Sequence, residues 1–96
     1  MNRSISELQT RAMLPLSQVS KELREKCVTI AQEKLPSSAF KLASQEARLF
    51  GLGQMNALNI AKATRWLAVI CRDYGQEEFK RVTAGIETAT ENCGGK

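Results

Sequence analysis

The chain has 96 residues, of which 43% are hydrophobic and 25% are charged, and it contains only two prolines. It is too short for two independent cores and too apolar for a disordered tail, so we expect one globular domain over residues 1–96. Fourteen basic and ten acidic residues give a net charge of +4. An excess of this size does not by itself identify a polyanionic partner.

The available side chains argue against an enzyme. Histidine is absent, aspartate occurs once, and Cys27, Cys71 and Cys93 form no Cys-x-x-Cys pair. A zinc finger and a Cys–His nucleophile pair are therefore excluded, and we expect no catalytic residue, metal, cofactor or small-molecule substrate. Widely spaced, odd-numbered cysteines indicate reduced thiols and a cytoplasmic protein. No apolar run suits a leader or a membrane span, and we expect neither.

Apolar residues recur at intervals of three and four, which predicts an all-α chain. Ser4 begins a capping box for a first helix over about 5–13, which we expect Pro15 to close because its ring disrupts a helix interior. Ser17 is the predicted cap of a second helix over about 18–34.

A third helix is predicted to start at Ser37 or Ser38 and to end at Gly51. Its apolar stripe consists of Phe40, Ala43, Ala47 and Phe50. Glycine enters the left-handed backbone region at low cost and commonly ends helices, so Gly51-Leu52-Gly53 is the clearest turn signal in the sequence.

A long fourth helix is predicted over about 54–74, ended by Gly75, and a fifth over about 76–91, followed by a frayed tail at about 92–96. The fifth helix should direct Phe79, Val82, Ile86 and Ala89 inward. Because the connections are short, we expect a single compact four- to five-helix bundle with the fourth helix at its centre.

At about 100° per residue the fourth helix separates an apolar side from a basic side. The predicted apolar side consists of Ile60, Ala63, Leu67, Ile70, Cys71 and Tyr74. Opposite it lie Lys62, Arg65 and Arg72, here called the basic stripe, with only Asp73 near enough along the helix to neutralise them. The stripe extends over about 15 Å at about 1.5 Å per residue. The stripe is either an ordinary solvated surface or a site that binds the phosphates along a nucleic-acid strand.

Two further observations favour the phosphate site. Trp66 lies beside the stripe, where an exposed indole stacks on bases or packs into a partner, although it also fits the rim of the core. Lys41 and Arg48 share one face of the third helix, and that face would extend the stripe if the two helices pack together. The basic residues of the second and fifth helices alternate with glutamates, which is typical of a surface that only confers solubility.

The segment Leu35-Pro36, an apolar helix and then Gly51-Leu52-Gly53-Gln54 leading into a long amphipathic helix resembles the small helical subunits of CRISPR effector complexes. The type III small subunits carry an Asn-Gly-Leu-Gly-Gln turn, and Phe50 stands here in place of the asparagine. The resemblance covers about a third of the chain. It assigns a structural role to Gly51 through Gln54 and none to the basic residues.

The resemblance implies a non-catalytic subunit present in several copies in a ribonucleoprotein that functions in antiviral defence. Its partners would be the large subunit, the backbone subunits, copies of itself, the guide RNA and the target or displaced single strand of DNA or RNA. The alternative is a helical protein–protein adaptor or homo-oligomer that docks through Trp66, Val69 and Leu58 without binding nucleic acid.

Overall fold

A computed structural model describes the backbone of residues 15–94 and the side chains of residues 15–88. The helices with complete bounds are α1 (Lys21–Glu33), α2 (Pro36–Leu49), α3 (Gln54–Tyr74) and α4 (Gln76–Gly94). No strand occurs within residues 15–94, so the prediction of an all-α bundle is confirmed. The helix predicted over 5–13 lies outside the described residues.

The starts of the first two complete helices differ from the predictions. Ser20, not Ser17, is the N-cap of α1; its backbone is extended and its Oγ accepts a hydrogen bond from the Leu23 N–H at 3.3 Å. In α2, Pro36 occupies the first turn and the N-cap is Leu35, which makes no side-chain capping bond. Proline is favoured there because the first N–H of a helix lacks an internal acceptor and its backbone φ already suits the helix.

The helix end predicted at Pro15 lies one residue further along the chain, because helical backbone ends at Leu16. Pro15 and Leu16 both have helical backbone. The chain then turns, and the Pro15 carbonyl accepts a hydrogen bond from the Gln18 N–H at 3.2 Å. The Leu16 side chain is fully buried, which holds this turn against the bundle.

The turn between α2 and α3 depends on a glycine, as predicted. Gly51 has φ +91°, its N–H donates to the Arg48 carbonyl at 2.9 Å, and the Leu52 N–H donates to the Ala47 carbonyl at 3.1 Å. These two bonds form a Schellman motif, in which the left-handed residue allows the last carbonyls of a helix to find donors. The turn directs α3 back along α2, and the two helices form the most extensive contact between helices in the described chain. They are called the hairpin below.

The core lies where the hairpin meets α1 and α4. Alanines line the contact between α2 and α3, which allows the two backbones to approach closely. The buried alanines of these helices are Ala39, Ala43, Ala47, Ala57, Ala61, Ala63 and Ala68, and the large side chains around them are Leu16, Leu23, Ile60, Leu67, Ile70, Phe79, Val82 and Ile86. α3 touches each of α1, α2 and α4, so it is the central helix, as predicted.

The ends of the predicted apolar stripes reach the surface. In α3, Cys71 is half-buried and Tyr74 is 42% exposed, since both lie in the last turn, where the helix leaves the bundle. In α2, Phe40 is half-buried and Ala39 is buried, and Phe50, the C-cap of this helix, is half-buried as well. Small residues occupy the centre of the α2–α3 contact because aromatic rings would force the helices apart.

Gly75, with φ +96°, separates α3 from α4 and confirms the predicted helix end. α4 then continues to Gly94, three residues beyond its predicted end at about 91. Phe79, Val82 and Ile86 are buried, as predicted. The side chain of Ala89 lies outside the described residues, and fraying of the tail stays a prediction.

Candidate nucleic-acid interface

Lys62 lies opposite the buried face of α3, whereas Arg65 and Arg72 lie at the edge of that face, one turn from buried Ala61 and Ala68. Lys62 and Arg72 are exposed, whereas Arg65 is half-buried. The predicted orientation of α3 is therefore confirmed, because Leu67 and Ile70, at the centre of the predicted apolar side, are fully buried. The stripe presents two exposed cations with one half-buried cation between them.

Aromatic rings from both helices of the hairpin constrain Arg65. The guanidinium carbon Cζ lies 5.5 Å from the centre of the Phe40 ring on α2 and 5.4 Å from the centre of the Trp66 ring on α3. Both distances are within the range of cation–π attraction. Phe40, Arg65 and Trp66 are called the arginine–aromatic cluster below.

Trp66 lies at the rim of the core. Its side chain is half-buried and packs against the core cluster, as does Val69 one turn later. Leu58 is also half-buried. The three side chains expected to dock a partner under the adaptor alternative are thus already partly covered by the protein's own bundle. Leu49, 80% exposed, and Met55, 70% exposed, present more apolar surface, and periodicity missed them because they flank the turn.

Lys41 and Arg48 are both exposed on α2, and α2 packs beside α3. The two basic faces were expected to join if these helices pack together, and the helices do pack together. Phe40, next to Lys41 in sequence, contacts Arg65 on the other helix. Arg48 lies two turns from Lys41, at the end of α2, where a cation also stabilises the negative end of the helix dipole.

Among the side chains of residues 15–88, none of these five cations lies within ion-pair distance of a carboxylate. On α4, by contrast, Arg81 pairs with Glu78 at 3.6 Å. Residues 35–75 contain five basic and two acidic residues, a net charge of +3. The hairpin therefore offers positive charge that the described part of the protein does not neutralise by direct contact.

One end of the stripe has neighbours that the sequence did not reveal. Arg72 lines a cleft of about 290 Å³ together with Glu33, the last residue of α1, and Lys34, its C-cap. Asp73 is therefore not the only nearby carboxylate, and Lys34 adds a cation. Sequence periodicity could not find this group because it places residues within one helix and does not place one helix beside another.

A cleft on the other side of the hairpin has a different character. It has a volume of about 500 Å³ and lies between α1 and the start of α3. Its lining includes the apolar Leu23 and Phe50 and the amides of Gln18, Asn56 and Asn59, and none of the described residues that line it is charged. A nucleic-acid backbone has no electrostatic attraction to such a cleft.

Cys27 shows no sign of an activated thiol. It is fully buried on α1, and burial raises the pKa of its thiol, with a smaller contribution from Glu46, while its hydrogen bond with Thr64 acts in the opposite direction. A thiol with a raised pKa is a poor nucleophile near neutral pH. No group of three or more potential metal ligands occurs among the described residues.

None of the described helices combines the length and the apolar character needed to cross a membrane. Comparisons of this chain with protein-family models, with curated proteins and with solved structures find no match.

Proposed function

We propose that this chain is a non-catalytic helical subunit that binds single-stranded nucleic acid through its phosphates, within a CRISPR ribonucleoprotein effector complex. The observation that carries the binding proposal is the positive charge along the hairpin that pairs with no carboxylate among the side chains of residues 15–88. It comes from Lys62, Arg65 and Arg72 on α3, continued by Lys41 and Arg48 on α2.

The residue types indicate the mode of binding. Lysine and arginine displace condensed counterions from phosphates, so affinity is largely independent of base sequence and decreases steeply with salt. Three to five contacts per protein would give weak binding, with a dissociation constant of about 10⁻⁴ to 10⁻⁶ M. Several copies on one strand would raise the overall affinity through multivalency.

The resemblance of the turn supports the assignment to a CRISPR complex. Gly51 through Gln54 match the glycine turn of the small subunits. Here Gly51 has a left-handed backbone, and Gln54 is the first residue of the long helix that carries the basic stripe. The proposed partners are the large and backbone subunits, further copies of this chain, the guide RNA and the target or displaced strand.

The test is a salt titration of binding to a labelled oligothymidylate and a labelled oligouridylate, measured by fluorescence anisotropy. In the triple variant Lys62→Ala, Arg65→Ala, Arg72→Ala, the slope of log affinity against log salt should become shallower by about 0.7 for each cation removed. Equal slopes for the triple variant and the wild type would overturn the proposal.

A protein–protein adaptor is the second candidate, and exposed Leu49 and Met55 favour it. Under that function the triple variant would keep the wild-type salt slope. Leu49→Ser with Met55→Ser would instead abolish association with the protein partner, because that association would depend on apolar contact. The two functions therefore predict opposite effects for the two sets of substitutions.

A further inference from the structure

The arginine–aromatic cluster indicates how one phosphate would be held, an inference that rests on the proposed function. We propose that Phe40 and Trp66 are positioning residues, which hold the Arg65 guanidinium so that its N–H groups bind one phosphate in a bidentate manner. Lys62 and Arg72 then act as mobile charges on either side of this fixed contact.

The geometry leaves the donors of Arg65 available. A guanidinium is planar, and its five N–H groups point outward within that plane, so a ring that stacks on its face does not use up these donors. Arg65 makes no ion pair with a carboxylate among residues 15–88. Its half-buried position restricts the side chain further. The site is therefore an arginine whose orientation is fixed before the phosphate arrives.

Preorganisation explains why the fixed arginine should matter more than its neighbours. A free surface arginine or lysine loses side-chain entropy when it grips a phosphate. Arg65 has already lost part of this freedom in the folded protein, because its guanidinium contacts one ring from α2 and one ring from α3. A lysine in its place keeps the charge but lacks the bidentate geometry and the planar stacking surface.

The test uses variants that preserve total charge, so that the salt slope stays constant while the affinity changes. Arg65→Lys should weaken binding to the oligothymidylate by on the order of three- to tenfold. The matched control Lys62→Arg should bind at least as well as the wild type, because an exposed, mobile cation needs only its charge.

Substitution of Phe40 separates positioning from charge. Phe40→Leu should weaken binding by about two- to fivefold without changing the salt slope, which is the loss expected for one cation–π contact. Phe40→Tyr preserves the ring and should retain the wild-type affinity. Thermal unfolding of each variant verifies that the binding measurements are made on folded protein.

The outcomes distinguish the two proposals. If the triple alanine variant has a shallower slope but Arg65→Lys and Phe40→Leu bind like the wild type, the positioning role is overturned and the proposed function stands. If Phe40→Tyr loses as much affinity as Phe40→Leu, the ring is not what positions Arg65, and the inference is likewise overturned. If the triple variant keeps the wild-type slope, both proposals fail together.

Discussion

The two sides of the hairpin differ in what they contribute. The inner side consists of alanines and large aliphatic residues with almost no exposed surface, and it determines how α2 and α3 pack. The outer side carries five cations, of which only Arg65 is partly covered. Stability should therefore depend on the inner side and binding on the outer side. Substitutions on the inner side that leave the protein folded should therefore hardly change binding, and substitutions on the outer side should hardly change stability.

The largest expected effect is the loss of stability caused by a substitution on the inner side. Leu67→Ala removes a fully buried side chain from the middle of α3 and should destabilise the protein by about 2–5 kcal/mol. Lys62→Ala, on the outer side of the same helix, should change stability by less than about 0.5 kcal/mol. Urea denaturation measures both. Similar losses for the two variants would show that α3 is oriented differently.

The next effect concerns the turn that joins the two helices. An added Cβ at Gly51 or Gly53 meets no atom within 4 Å, but Gly51 has φ +91° and Gly53 has φ −70°. Gly51→Ser should therefore cost about 1–2 kcal/mol, because L residues are strained in the left-handed region. Gly53→Ser should be neutral or stabilising by a few tenths of a kcal/mol, because it supplies a side-chain N-cap to α3. Melting temperatures that shift in the same direction would contradict this account of the turn.

A third prediction uses pH to probe the buried side of α1, where Cys27 faces α3. Burial raises the pKa of the Cys27 thiol in the folded state, so the unfolded chain loses its proton first as pH rises above about 8.5. The stabilisation from the neutral thiol is complete below that pH. Above about pH 8.5 this stabilisation decreases by at most about 1.4 kcal/mol per pH unit, until the thiol of the folded protein also ionises.

Cys27→Ala provides the control for this titration. Urea denaturation at neutral and alkaline pH should show that the free energy of unfolding decreases more for the wild type than for the variant, since only the wild type has the Cys27 thiol. Parallel decreases in the two proteins would mean that Cys27 is not protected from ionisation in the fold.

Sequence periodicity predicted α3 and its orientation well because twenty-one residues give almost six turns of a repeating pattern. The ends at Gly51 and Gly75 were predictable since each requires a backbone that only glycine adopts easily. The helix starts were harder to locate. Ser17 and Ser20 both have capping side chains, and the choice between them depends on which turn packs against the bundle.

The site was predictable only one helix at a time. Periodicity placed Lys62, Arg65 and Arg72 on one face, but it assigned no partner to Arg65. The contact with Phe40 depends on the register between α2 and α3, which close packing of small side chains sets. The position of Lys34 beside Arg72 depends on α1 in the same way. Such contacts between helices follow from tertiary packing and have no local sequence signal.

The most direct test of the separation between the two sides compares two triple alanine variants of equal net charge. One removes Lys62, Arg65 and Arg72; the other removes Lys21, Lys26 and Lys80, which are equally basic and are exposed on α1 and α4. Both variants lose three positive charges, so any general electrostatic effect is matched. For binding to the oligothymidylate, we predict a salt slope shallower by about 2 for the α3 variant and a wild-type slope for the control. Equal changes in the two variants would contradict the account, because they would show that net charge alone, without a defined surface on the hairpin, determines binding.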